Sequence, residues 1–393
     1  MICIETQYLG LNRILLLAVG LWPFQQSKFT RFQFSFLFAI LMTSIIFQLT
    51  AFITTLQYTS DFIARVLFSA TFFTIFMIIY YAFYVNIEIV KTLLIQLQHV
   101  CDELTDKNEI AIVEKYGYTA KCYTIALIVA GICAVSGTFI VQLWIIYDDV
   151  LSMNVTRSHS MLYVTEYFVD QEKYFFLILL HINLAECIGA IAMVATGTMF
   201  ITYFEIFCGM FKISSYRIER AVKINIVQNM TLRNKMLRSV NLICAIDIHR
   251  QVIKLCKHFL STFEIMFFCL AQMFVISLCF NFVRISQILL YEQTTKKAIL
   301  PTIFVAANIL YLFLANFYGQ TMTDHNNYIF NTVYNVEWYA TPLHIQKLIL
   351  FLLLKGAKNF TLNVGGLFIT SLECFATLVK ASVSYFTVVL ATQ

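Results

Sequence analysis

The stretch that decides the fold is YTIALIVAGICAVSGTFIVQLWIIY, residues Tyr123–Tyr147, which contains no Asp, Glu, Lys or Arg. About 20 mainly apolar residues are enough for a helix to cross the roughly 30 Å of hydrocarbon in a bilayer. The lack of any charged residue makes a buried helix of a soluble protein a poor alternative. Residues Tyr123–Tyr147 are therefore predicted to form a transmembrane helix.

The rest of the chain repeats this pattern on both sides. Five more stretches qualify as spans: Phe34–Leu56, Val66–Ile87, Tyr174–Phe204, Ile265–Val283 and Ala298–Thr323. A seventh, Val364–Leu390, is long enough, although it contains Glu373 and Lys380. Only 12% of the 393 residues are charged, where a soluble domain carries roughly 25%. The sequence predicts an all-α membrane protein with seven transmembrane helices and no soluble domain.

The distribution of Lys and Arg predicts how the chain crosses the membrane. If the N-terminus is cytoplasmic, the inside segments are 1–33, 88–122, 205–264 and 324–363. They hold 3, 4, 10 and 3 of the Lys and Arg residues, which is 20 of the 27 in the chain. Because basic residues concentrate in cytoplasmic loops, the N-terminus is predicted inside and the C-terminus outside. G-protein-coupled receptors have the opposite orientation.

The same boundaries divide the chain into four parts. Residues 1–33 are predicted to form a cytoplasmic N-terminus with an interfacial helix, and residues 34–323 a six-helix transmembrane bundle. Within that bundle, residues 205–264 are expected to form a long cytoplasmic helical extension, because basic residues alternate with Ile, Val, Leu and Met there. Residues 324–363 are predicted to be a cytoplasmic anchor helix, and residues 364–393 the last helix.

Motifs for enzyme chemistry are absent from the sequence. There is no GxxxxGK[ST], GxGxxG or HExxH pattern, and no Cys/His pair at zinc spacing. We therefore expect no catalytic residues, no cofactor and no metal site. Basic residues interleaved with exposed aromatics, which are typical of nucleic-acid binding, are not found either. His181 and Glu186 lie inside the fourth span, where ionisable residues are either functional or face a water-filled side of the bundle.

The last helix carries a stripe of small and weakly polar residues. Thr377, Ala381, Ser384 and Val388 recur at close to the 3.6-residue helical period. Such a stripe can line a narrow water path, and Val388 suits a hydrophobic gate. Small and hydroxyl residues also mediate close packing between membrane helices. The residues alone leave both interpretations open.

The end of this helix resembles a known family. Residues Leu378–Leu390, LVKASVSYFTVVL, closely resemble the C-terminal signature of insect odorant receptors, and the region of Trp338 resembles the helix before it. The N-terminal LNRILLLAVGLWP, residues Leu11–Pro23, looks most like members from ants, bees and wasps. The resemblance implies a tetrameric, ligand-gated, non-selective cation channel in the plasma membrane of olfactory neuron dendrites. Each subunit would contribute its last helix to a central pore.

The resemblance also assigns roles to individual residues. The gate corresponds to Val388, with Ala391 beside the pore mouth. Small hydrophobic odorants would bind in the outer half of the bundle, among the second, third, fourth and sixth spans. The expected ligand-binding residues there are Phe72, Phe73, Gly137, Ile140, Trp144, Asn308 and Tyr311. For each of them, ordinary packing in an aromatic-rich bundle is the alternative.

One departure from the family pattern indicates which kind of subunit this is. Gustatory receptors and the odorant coreceptor resemble each other in having Tyr and then Gln in the last helix, whereas here Tyr385 is followed at that spacing by Ala391. The chain also lacks the coreceptor's long insertion. It looks like a tuning subunit whose partners would be an odorant coreceptor, in a heterotetramer, and membrane lipid. The alternatives are a gustatory-type channel, a G-protein-coupled receptor and a transporter.

Overall fold

The structure is a computed structural model, and it describes residues 8–54, 60–151, 163–227, 232–292, 295–356, 363–365 and 368–391. Seven helical segments in this part of the chain are long and apolar enough to cross a membrane. They are Lys28–Thr54, Phe62–Val85, Lys107–Asp148, Phe175–Val222, Leu242–Leu290, Lys296–Asn335 and Leu372–Ala391. The prediction of an all-α membrane protein with seven spans is confirmed.

Helices account for nearly all of the described chain. They are α1 Gly10–Ala18, α2 Lys28–Leu49, α3 Ala51–Thr54, α4 Ser60–Val85, α5 Ile87–Asp102, α6 Lys107–Leu151, α7 Phe175–Val227, α8 Leu232–Gln287, α9 Thr295–Asn335, α10 Leu343–Gly356 and α11 Leu372–Ala391. A π-helical turn, Ile288–Glu292, follows α8, and a 3-10 turn, Trp338–Ala340, precedes α10. Two short strands, β1 Asn363–Val364 and β2 Phe368–Ile369, form an antiparallel hairpin before α11.

Two helices are far longer than a bilayer is thick. Helix α7 has 53 residues and α8 has 56, so each is about 80 Å long at 1.5 Å per residue. Arg217, near the end of α7, forms two hydrogen bonds with Glu109 in the first turn of α6, at 2.6 and 2.7 Å. Arg220 pairs with Asp106 immediately before α6. These ion pairs fix the extended part of α7 against the start of α6.

Aromatic rings fill the centre of the bundle where α4, α7 and α8 meet. Phe263 of α8 lies 6.4 Å from Phe83 of α4 and 4.8 Å from Phe200 of α7, measured between ring centroids. All three rings are buried. Aromatic pairs at such separations add to the stability that burial itself provides, so this cluster anchors the transmembrane core.

The last helix begins later than the sequence predicted. The prediction placed its start near residue 364, but α11 starts at Leu372. Gly365 adopts a φ of 63° in the hairpin between β1 and β2. This left-handed conformation favours glycine and cannot be part of an α-helix, so the helix starts only after the hairpin. Ser371 then caps α11, because its Oγ accepts a hydrogen bond from the backbone N–H of Cys374 at 3.1 Å.

Candidate functional site

An apolar cavity lies between the helix bundle and the base of the last helix. Its volume is about 120 Å³, and its walls come from α4, α6, α7, α8, α9 and α11. The principal lining residues are Phe200, Phe204, Leu270, Phe274, Tyr311 and Leu378. A dry apolar cavity of roughly 150 Å³ accepts a benzene-sized molecule. The cavity is therefore of the right size and character for a small apolar ligand.

Tyr311 connects this cavity with the set of residues predicted to bind ligand. Its ring lies 6.2 Å from that of Phe274, and its hydroxyl donates a hydrogen bond to the backbone carbonyl of Met193 on α7. The close approach depends on Gly197, because a Cβ atom there would collide with the Tyr311 hydroxyl. Of the seven predicted ligand residues, Tyr311 lines the cavity and the other six do not.

Phe72 and Phe73 lie in a separate aromatic cluster above the cavity. The Phe72 ring stacks on Phe304 of α9, with centroids 4.0 Å apart and an interplanar angle of 9°. Phe73 makes an edge-to-face contact with Tyr163 at 6.0 Å. Both phenylalanines are buried. The sequence analysis missed Phe304, although it shares a helical face with Asn308 and Tyr311 at positions i, i+4 and i+7.

Asn308, which is buried, and Gly137, which is partly buried, also lie in helix contacts. The Asn308 side chain donates a hydrogen bond to Ser277 Oγ on α8 at 2.8 Å, and its Oδ1 atom has no hydrogen-bond partner among the described residues. A Cβ atom at Gly137 would lie 3.3 Å from the end of the Ile303 side chain on α9. Asn308 therefore joins α9 to α8, and Gly137 allows α6 to approach α9.

Ile140 and Trp144 lie further along α6, one and two turns from Gly137, and are exposed in the isolated chain by 62% and 46%. The ammonium group of Lys296 lies 4.3 Å above the Trp144 ring and pairs with Asp148. Neither Ile140 nor Trp144 faces the cavity. The structure thus brings together Phe72, Phe73, Gly137, Asn308 and Tyr311 along the bundle interior and leaves these two residues outside it.

The five residues predicted to line a pore share one side of α11. Thr377, Ser384, Val388 and Ala391 are exposed, and Ala381 is partly buried. The opposite face of the helix packs into the chain through Leu378 and Ser382, which are buried. The predicted stripe is thus a face of α11 that the chain itself does not cover.

The base of α11 is tied directly to α9 beside the cavity. The backbone N–H of Ser371 donates to Asn316 Oδ1 at 3.3 Å. Gly319, one turn further along α9, packs so closely against Thr370 that a Cβ atom would collide with it. Asn316, Gly319 and Thr370 all line the cavity. These residues were not predicted, although a glycine within an apolar span is a common sign of close helix approach.

The polar groups of the site do not form a catalytic or metal centre. Among the described residues, no three His, Cys, Asp or Glu side chains lie close enough to hold a metal ion. The polar atoms at the cavity wall instead belong to residues that hold helices together, such as Tyr311 and Asn316. Chemically, the arrangement can bind an apolar molecule and transmit its presence to α11.

Solved structures show a similar fold. The insect olfactory receptor OR5 from Machilis hrabei matches with a TM-score of 0.79 and 14% sequence identity, and 97% of each chain is covered. The same receptor in complex with eugenol matches with a TM-score of 0.77 and 13% identity, again covering 97% of each chain. At this level of identity the likeness establishes the fold. No curated protein sequence matches the chain.

The family assignment comes from the sequence itself. A model of the family described as 7tm Odorant receptor matches residues 48–383, which is most of the chain. The match includes five of the seven spans in full, the end of the first and more than half of the last. The chain therefore belongs to the insect odorant receptor family, whose members are odorant-gated cation channels and not enzymes.

Proposed function

We propose that this chain is the tuning subunit of a non-selective cation channel, which it forms as a heterotetramer with an odorant coreceptor. The proposed ligands are small volatile or hydrocarbon-like odorants, and the proposed location is the plasma membrane of an olfactory neuron dendrite. The family assignment supports an odorant-gated channel. The pairing with a coreceptor is supported by Ala391, which stands where the coreceptor pattern has Gln.

The single observation that carries the proposal is the position of the cavity. Tyr311 forms one wall, and Cys374 and Leu378 of α11 form another. A ligand changes the balance between two conformations only if it interacts differently with each. Because a ligand in this cavity would contact the bundle and α11 together, a shift of α11 during opening would change those contacts. Binding and opening are thereby coupled.

The lining of the cavity favours small apolar or aromatic odorants. Phenylalanine, tyrosine, leucine, isoleucine and methionine side chains form most of the wall, and such walls recognise ligands by shape and dispersion. The similar receptor OR5 has been solved with eugenol, a small aromatic molecule. We propose that the outer group, Phe72, Phe73, Gly137, Ile140, Trp144 and Asn308, forms the approach to the cavity and selects among odorants.

The exposed stripe of α11 is the proposed pore surface. Thr377, Ala381 and Ser384 would line the water path, and Val388 would form its hydrophobic constriction, with Ala391 at the mouth. The exposure of Thr377, Ser384, Val388 and Ala391 in the isolated chain supports this role, because a pore surface is completed only when four subunits assemble. A constriction of apolar side chains closes a pore by expelling water.

The proposal is tested by recording cation currents from oocytes that express this chain with and without an insect odorant coreceptor. A broad panel of volatiles and cuticular hydrocarbons is applied. We expect currents only when both subunits are present. A current from this chain alone would contradict the need for a coreceptor.

The role of the cavity is tested in the same assay with Tyr311→Ala. Removing this aromatic side chain from the cavity wall costs a ligand about 1.5 kcal/mol, so the half-maximal odorant concentration should rise about tenfold. Tyr334→Ala is the matched control, because Tyr334 is 65% exposed on the same helix, and it should leave the half-maximal odorant concentration unchanged.

Trp144→Ala tests the outer group and should change the order of preference among odorants. Unchanged sensitivity of Tyr311→Ala to every active odorant would exclude the cavity.

A further inference from the structure

The segment between α6 and α7 places a tyrosine ring inside the helix bundle. The Tyr163 side chain is only 2% exposed, and its ring meets Phe73 edge to face at a centroid distance of 6.0 Å. Loops normally lie on the surface, since their polar groups need water. A loop tyrosine that is this deeply buried occupies space that belongs to the interior of the bundle.

Three contacts hold the segment in position. The backbone N–H of Glu166 donates to the Phe47 carbonyl at 2.8 Å, and the Thr50 hydroxyl donates to the Glu166 carbonyl at 2.8 Å. The Tyr167 hydroxyl lies 2.8 Å from His181 Nδ1. All three contacts lie on the α2 and α7 side of the segment, so they fix its path without involving the Tyr163 ring.

The Tyr163 hydroxyl has a specific partner. It donates a hydrogen bond to Glu186 Oε2 at 3.1 Å, and Glu186, which is 3% exposed, also hydrogen bonds with Thr138. A buried carboxyl group is costly unless it is hydrogen bonded. Burial beside Glu186 raises the pKa of Tyr163 well above its usual value, so the hydroxyl keeps its proton and remains a donor.

We propose that Tyr163 fills a binding site for small phenols. In this site the Glu186 carboxyl group accepts a hydrogen bond from the phenol hydroxyl, and Phe73 contacts the phenol ring. The inference rests on the proposed function, because it names one chemical class of ligand for the outer end of the same bundle. A phenol that enters takes over the hydrogen bond of Tyr163 and releases the ring. A ligand of the same shape without a hydroxyl leaves Glu186 without that donor, and sites built to hydrogen bond a hydroxyl strongly reject such analogues.

Tyr163 also lowers the apparent affinity of the site for a phenol. While its ring occupies the site, the apparent affinity for a phenol is reduced by the fraction of molecules in which the site is open. Removing the ring should therefore strengthen phenol binding, which is the reverse of the effect expected when an ordinary wall residue is truncated. This opposite sign makes the proposal testable.

The test is the thermal stabilisation of the purified full-length protein by p-cresol, which has the structure of a tyrosine side chain, and by toluene, which lacks the hydroxyl. In Tyr163→Ala, p-cresol should raise the Tm at concentrations at least tenfold lower than in the wild type, and at least tenfold lower than toluene. Tyr167→Ala is the matched control, because it removes a tyrosine from the same segment but leaves the Tyr163 ring and its hydrogen bond with Glu186 in place, and it should show no such preference.

Two further variants complete the design. Adding Glu186→Leu to Tyr163→Ala should abolish the preference, so that p-cresol and toluene stabilise the protein equally. Tyr163→Phe keeps the ring and removes only the hydroxyl, so it tests the site even when the alanine variant fails to fold. In this variant too, p-cresol should raise the Tm at a lower concentration than in the wild type. Equal effects of p-cresol and toluene in both Tyr163 variants would overturn the proposal.

The failure of this inference is distinguishable from failure of the proposed function. If other volatiles open the wild-type channel while p-cresol shows no hydroxyl-dependent binding, the phenol site is wrong and the odorant-gated channel stands. If p-cresol binds as described while no volatile evokes a current with the coreceptor present, the site stands and the proposed function fails.

Discussion

The second and the last span are both apolar enough to cross a membrane, but they differ in how much of each is buried inside the chain. In the most apolar part of the second span, Phe62–Val85, 61% of the residues are buried inside the chain, whereas in the last span, Leu372–Ala391, the share is 11%. The second span therefore completes its packing within one subunit. The last span has most of its surface available for lipid, water or other subunits.

The third span shows which of these surroundings the last span is suited to. Its most apolar part is also little buried, at 17%, but its exposed residues include aliphatic ones such as Val129, Ile132 and Leu143 and no charged residue between Tyr123 and Tyr147. The exposed face of the last span instead carries Glu373 and Lys380, together with hydroxyl side chains. Charged groups are costly in hydrocarbon. Low burial thus indicates a lipid-facing helix in one case and a face for water or other subunits in the other.

The largest effect is expected where the second span packs most tightly. Gly189 of α7 lies against the buried ring of Phe76, and even a Cβ atom at this position would collide with the ring. Gly189→Leu should therefore cost about 3 kcal/mol, at the upper end of the range for overpacking. The matched control is Gly10→Leu, because no atom lies within 4 Å of a Cβ at Gly10. The Tm values of the two purified variants are compared, and Gly189→Leu should have the lower one. Equal Tm values would contradict the tight contact at Gly189.

A smaller effect is expected from the ion pairs that hold α6 against α7. Glu109→Gln removes a buried carboxylate that makes two hydrogen bonds with Arg217, so it should lower the stability by about 2 kcal/mol. Asp106→Asn is the control, because its partner Arg220 is 53% exposed and such pairs contribute less than about 1 kcal/mol. The Tm of Glu109→Gln should be the lower of the two. The reverse order would show that burial does not decide the strength of these pairs.

The pH dependence of the Asp106 contact has a definite sign. The backbone N–H of Asn108 lowers the pKa of Asp106, and Arg220 adds to this effect although burial opposes it. A lowered pKa in the folded state means that the contribution is present above the unfolded value, near 4, and is lost as the pH falls through the folded value. The Tm difference between wild type and Asp106→Asn should therefore be constant from pH 8 to pH 6 and should shrink as the pH falls below about 4.

Most of the fold was predictable because membrane spans are encoded locally. A helix that crosses a bilayer must satisfy its backbone hydrogen bonds internally, so runs such as Tyr123–Tyr147 identify a span without reference to the rest of the chain. The start of the last helix was missed for the same reason. Its boundary depends on the turn at Gly365 and on the cap at Ser371, and an apolar run does not reveal either feature.

The candidate site was only partly predictable, because its geometry depends on how helices rotate against one another. Tyr311 was predicted and lines the cavity, but Trp144 was predicted to bind the same ligand and is 46% exposed, away from the cavity. The tyrosine that fills the outer end of the bundle, Tyr163, comes from a loop with no periodic pattern. Its place opposite Glu186 follows from the contacts of that loop with α2 and α7, which are distant in sequence.

The smallest effect on stability, and the clearest on function, is expected at the end of the last span. Val388 is 61% exposed, so Val388→Ser should leave the Tm unchanged, whereas the same change at a buried valine of the second span would cost several kcal/mol. If Val388 forms the constriction, a hydroxyl there favours water in the closed pore and should increase the current without odorant severalfold. Val383→Ser is the control, because Val383 is exposed on the same helix but lies outside the stripe. An unchanged resting current with normal surface expression would contradict the gate, and the exposed face of α11 would then be a surface for subunit packing alone.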